Sequence, residues 1–87
     1  MNEEYKTGRV LFVKPYGNED GYYGFIHPFG ESGRKHNVYF TEKAVSPLLD
    51  SVIRQYNKNL GGTVVVDVVF RAEPSDKGPR AVEVFLR

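Results

Sequence analysis

The chain has 87 residues and no cysteine, which sets a single domain of modest core size and excludes a disulfide framework or a thiolate metal site. Its 12 lysines and arginines face 11 aspartates and glutamates, a near-even balance that argues against nonspecific electrostatic binding to nucleic acid and leaves binding by stacking on aromatics open; a local basic stripe would depend on how the fold lays out the charges. The polar, acidic start Met1-Asn2-Glu3-Glu4 carries no signal-peptide pattern, and no apolar run is long enough to span a bilayer. The expectation is a soluble cytoplasmic protein formed by one domain over residues 1–87.

Gly8-Arg9-Val10-Leu11-Phe12-Val13-Lys14 reads as a first strand ended by Pro15. Strict alternation places Val10 with Phe12 and Leu11 with Val13, so exposing Phe12 requires a bulge. Tyr16 to Gly21 is a turn rich in Gly, Asn and Asp, and its acidic pair Glu19 and Asp20 reads as turn chemistry. The second strand, Tyr22 to His27, returns to form an antiparallel hairpin. Tyr23, Phe25 and His27 share one of its faces, and Tyr22, Gly24 and Ile26 the other. Such a row of rings is either core or a surface on which planar bases stack. Ile26 needs the core, which turns Tyr23 and Phe25 outward. Gly24 has a plainer role available, relieving crowding between its aromatic neighbours.

Gly30 to His36 is a polar loop, with the short basic run Arg34, Lys35 and His36. Asn37 to Thr41 is the third strand, with Val38 and Phe40 toward the core and Tyr39 and Thr41 outward. Ser46 then serves as N-cap and Pro47 as the first residue of a helix over about 47–60. Leu48, Leu49, Val52, Ile53, Tyr56 and Leu60 form its apolar stripe, and Gly61 stops it. That stripe is expected to cover one end of a small barrel, leaving Arg54, Gln55 and Lys58 outside. Thr63 to Arg71 is a fourth strand and Arg80 to Leu86 a fifth, in which Val82, Val84 and Leu86 share a face. Five short strands and one helix between the third and fourth predict an all-β, five-stranded antiparallel OB-fold barrel.

Four segments, in order, resemble the cold-shock domain family. The first strand is similar to the family's Gly-x-Val-Lys-Trp-Phe-Asn. Gly21-Tyr22-Tyr23-Gly24-Phe25-Ile26 resembles its first RNP motif, Lys-Gly-Phe-Gly-Phe-Ile, and Asn37-Val38-Tyr39-Phe40-Thr41-Glu42 its second, Asp-Val-Phe-Val-His-Phe. Lys77-Gly78-Pro79-Arg80-Ala81-Val82-Glu83-Val84 resembles Gly-Pro-x-Ala-x-x-Val near the family's C-terminus. The resemblance implies a domain that binds single-stranded RNA or DNA as an RNA chaperone or regulator, without a cofactor, a metal or catalysis. Phe12, Tyr23, Phe25 and Tyr39 stand at stacking positions, and His27 could continue the row or simply be a surface or capping residue. Arg9, Lys14, Lys77 and Arg80 would meet phosphates, with Pro79 in the bordering loop. The chain departs from the family at Leu11, Val13, Tyr22, Thr41 and Glu42, which removes two rings and a cation and adds a carboxylate.

Catalytic patterns are lacking. His27 and His36 form no metal-ligand spacing, no phosphate-binding glycine loop is present, and nothing in the sequence places His27 with Glu42 as an acid–base couple. The competing expectation is a protein-interaction module on the same barrel, with a partner on the helix 47–60 or on the aromatic face.

Overall fold

A computed structural model describes residues 5–15, 21–31, 36–60 and 65–87, with side chains 11, 15 and 56–60 excepted. The expected turn at Tyr16 to Asp20, the cations Arg34 and Lys35, the helix stop at Gly61 and the strand start at Thr63 lie outside the described residues. So do the side chains of Tyr56, Lys58 and Leu60.

Five strands close a barrel: β1 (Lys6–Pro15), β2 (Tyr22–Pro28), β3 (Val38–Thr41), β4 (Val66–Glu73) and β5 (Arg80–Leu86), arranged in the ring β1-β2-β3-β5-β4. A 3-10 turn (Glu42–Ala44) and helix α1 (Pro47–Leu60) lie between β3 and β4 in the chain. Four neighbouring pairs are antiparallel, whereas β3 and β5 run parallel, with Tyr39 opposite Arg80. This corrects the all-antiparallel expectation. The reason is arithmetic: strand direction cannot alternate around a closed ring with an odd number of members, so at least one pair must be parallel. No described helix is long and apolar enough to cross a membrane.

The core gathers Val10, Val13, Ile26, Val38, Phe40, Val68, Phe70, Ala81 and Val84 from the strands with Leu49 and Ile53 from α1. Alternation places most of them, and two irregularities place the rest. In β1 the register moves from Val10↔Ile26 to Val13↔Gly24, so two residues of β1 face one of β2. Val10 and Val13 both point inward as a result. In β5 the register passes from Arg71↔Glu83 to Ala72↔Ala81, which makes Val82 the extra residue. Ala81 and Val84 are therefore the buried pair, a correction to the expected shared face of Val82 and Val84.

Helix α1 enters from a bridge between Val45 and Val84, and the Ser46 N–H donates to the Val84 carbonyl at 2.9 Å. Ser46 Oγ accepts from the Leu49 N–H at 3.4 Å, the capping contact that a serine before the first turn supplies. Leu49 and Ile53 are fully buried, but Leu48 is 66% exposed and leaves the expected stripe. One residue ahead of Leu49, it sits about a quarter-turn round the helix from the buried line.

Tyr22 fastens β2 to the helix. Its ring is buried, and its hydroxyl donates to Asp50 Oδ1 at 2.6 Å. Arg54 lies over the ring at 5.4 Å and donates through Nε to the same carboxylate. Burial first, then the neighbouring Asp50 carboxylate, pushes the Tyr22 phenol far above its ordinary range.

Candidate functional site

The outer face of β1, β2 and β3 carries a continuous row of rings. Along β2 burial alternates without a break from Tyr22 to Pro28, leaving Tyr23, Phe25 and His27 half-buried on the outside. Along β3, Val38 and Phe40 are buried and Tyr39 and Thr41 lie outward. The register sets Phe25 beside Tyr39 and Tyr23 beside Thr41. Phe25 and Tyr39 meet edge to face at 5.7 Å, and Tyr23 reaches Tyr39 diagonally at 5.9 Å.

The bulge in β1 supplies the fourth ring. With Val10 and Val13 both inward, Phe12 is turned out, 39% exposed, and its centroid lies 6.3 Å from that of Phe25. Gly24 makes the bulge possible. A Cβ there would stand 2.7 Å from the Phe12 carbonyl oxygen and 3.0 Å from the Phe40 ring, so the two strands can close only over a glycine. Lys14 places its Nζ 5.9 Å from the Phe12 centroid, a cation at one edge of the row.

At the other edge the β4–β5 loop forms a cleft of about 600 Å³ whose walls include Phe25, Tyr39, Asp76, Lys77, Pro79 and Arg80. Its turn is closed by paired backbone bonds between Ser75 and Gly78, at 3.1 and 3.0 Å, and by the Ser75 hydroxyl on the Gly78 carbonyl. Gly78 has φ +107°, a conformation side chains resist. The Tyr39 N–H donates to the Pro79 carbonyl at 3.3 Å and ties the loop to the ring row. Phe12, Lys14, Tyr23, Phe25, Tyr39, Lys77, Pro79 and Arg80 are thus brought onto one connected surface.

Arg9 and His27 lie one step further along the same face, opposite each other in the β1–β2 register. Both already have partners. His27 Nδ1 is 3.0 Å from Asn37 Oδ1, within hydrogen-bond distance. Arg9 donates through Nε to Asp67 Oδ1 at 2.7 Å and lies over the Phe29 ring at 5.6 Å. That bond holds the Asp67 carboxyl below the usual carboxylate range.

Glu42 lies at the opposite end of β2 from His27. Its Oε1 would be 2.6 Å from a Cβ at Gly21, beyond the Tyr23–Thr41 pair, so the couple His27–Glu42 is not assembled. Within the basic loop, His36 Nδ1 lies 3.6 Å from Glu31 Oε2. Among the described residues no three metal-ligating side chains cluster. Phe29, 41% exposed just past β2, was not among the expected site residues. Its signal was available, since it continues the two-residue spacing of Tyr23, Phe25 and His27. Compared with models of known protein families, with curated proteins and with solved structures, the chain finds no match.

Proposed function

We propose that this protein is a cold-shock-like OB-type barrel that binds single-stranded RNA or DNA in the cytoplasm, and that it is not an enzyme. The observation that carries the reading is the contiguous row Phe12–Phe25–Tyr39–Tyr23, whose neighbouring centroids are 5.7 to 6.3 Å apart on an outer barrel face. Core aromatics would be shielded, whereas these rings are reachable from solvent while still braced against one another. Stacking a base on such a ring contributes about 1–3 kcal/mol and needs little sequence information. Lys14 at one edge and Lys77 and Arg80 at the other offer charges to the phosphates of a strand lying across the row. With few cations, affinity depends mainly on stacking and only moderately on salt.

The test is titration of oligo-dT and oligo-U at low salt by fluorescence anisotropy, with Phe25→Ala beside the wild type. Saturable binding that weakens about tenfold in the variant supports the reading. No binding, or equal binding by the variant, overturns the stacking platform. The second reading is a protein partner on the outer face of α1, where Leu48 is the most exposed large apolar side chain among the described residues. Loss of a purified partner on Leu48→Asp, with oligonucleotide binding absent, would favour it.

A further inference from the structure

The outward face of β2 continues past its last strand residue. The Phe29 N–H donates to the Thr7 carbonyl at 3.1 Å, which extends the β1 pairing one step beyond Gly8↔Pro28. Phe29 therefore keeps the parity of Tyr23, Phe25 and His27, and its ring stays substantially exposed. Successive positions on this face are about 7 Å apart, so the series runs the length of the strand.

Two guanidiniums converge on that ring. Arg9 lies 5.6 Å from its centroid and Arg87 5.9 Å. They arrive from the two sides of Asp67: Arg9 is its register partner on β1, and the Arg87 N–H donates to the Asp67 carbonyl at 3.2 Å. Asp67 is the carboxylate on which both guanidiniums act, and both lower its pKa. A guanidinium has five N–H donors, so the single Nε bond from Arg9 to Asp67 occupies a fraction of its capacity. Guanidiniums held against an exposed ring keep N–H donors that the ring itself does not use, an arrangement that suits a phosphate oxygen.

Resting on the reading of the ring row as a nucleic-acid platform, we propose that Arg9 and Arg87, braced on Phe29, form a phosphodiester clamp at the far end of β2. A strand stacked on Phe12, Phe25 and Tyr39 reaches it by running past His27. The clamp engages a long strand and leaves a short one untouched, and this length dependence distinguishes it from the platform.

The experiment measures anisotropy with oligo-dT of about four and about nine nucleotides, for wild type, Phe29→Ala and Arg87→Ala, with folding checked by circular dichroism. The wild type is expected to bind the longer strand more tightly. Both variants should bind the short strand as the wild type does and lose about tenfold on the long one. Arg87→Ala should also flatten the salt dependence by about 0.7 in log–log slope, the signature of one lost phosphate contact on a single strand. Variants that match the wild type at both lengths, or that lose equally at both, overturn the clamp and leave the platform standing. A wild type that binds neither strand overturns clamp and platform together.

Discussion

The Phe25 ring meets the Tyr39 ring at 63° with centroids 5.7 Å apart, across a β2–β3 register that sets the two residues side by side. Each ring is the other's wall, and both border the cleft under the β4–β5 loop. Their contributions to binding a base should therefore be coupled. Phe25→Ala and Tyr39→Ala are each expected to cost about 1–3 kcal/mol of oligonucleotide binding. The double variant should fall short of their sum by about 0.5–1 kcal/mol, because removing either ring already loosens the other. Both side chains lie outward, so melting temperatures should change little. A strictly additive cycle from anisotropy titrations would show that the rings act on separate bases.

Gly24 ties the platform to the core. Gly24→Ala would press a methyl group against the Phe12 carbonyl and the Phe40 ring at once, and the carbonyl belongs to the backbone, which cannot swing aside. The expected cost is about 1–3 kcal/mol of stability, typical of overpacking a filled interior. Because relief requires the β1 bulge to move, Phe12 should shift and oligonucleotide affinity fall as well. Thermal melts beside binding titrations check both, and a variant with unchanged melting would remove Gly24 from the explanation of the bulge.

Much of this arrangement is legible in the chain. Ile26, Val38 and Phe40 each demand the interior, and period-two geometry then turns Tyr23, Phe25 and Tyr39 outward. Leu49 and Ile53, four residues apart, mark the buried line of α1. Ring closure is what alternation cannot express. The parallel β3–β5 pair follows from closing five strands, a property of no single segment. The Val82 bulge is likewise invisible locally, since alternation alone makes Val82, Val84 and Leu86 an acceptable inner face. Pro28 reads as the end of a strand and so hides Phe29, yet proline at a strand edge leaves the parity of the next residue intact.

Tyr22 links pH to the attachment of the helix. Its phenol is neutral in the folded state, and burial together with Asp50 raises its pKa above the unfolded value near 10. A raised pKa means that the stabilisation is fully present below about pH 10 and is lost as pH climbs from there toward the folded value. The wild type should thus weaken steeply in strong alkali. Tyr22→Phe, lacking the bond to Asp50, should start about 1–2 kcal/mol less stable at neutral pH and show a shallower alkaline decline. Denaturant melts across the alkaline range test this, and parallel declines for the two proteins would contradict it.

Asp67 restrains the cations at the far end of β2. Its carboxylate accepts the Arg9 Nε bond and lies close enough to Arg87 for both to lower its pKa, so it is ionised at neutral pH. A phosphate approaching Arg9 meets this fixed negative charge as a competitor. Asp67→Asn keeps the shape and removes the charge. Long oligo-dT should then bind about threefold to tenfold more tightly, with a steeper salt dependence, while short strands confined to the ring row should be unaffected. The sign with pH agrees: a depressed carboxylate pKa keeps the Arg9–Asp67 pair intact above about pH 4, and the pair is lost as pH falls through the still lower folded value. The difference between wild type and Asp67→Asn should therefore be constant through neutrality. Unchanged or weakened long-strand binding in Asp67→Asn would show that the carboxylate orients Arg9 rather than competing for it.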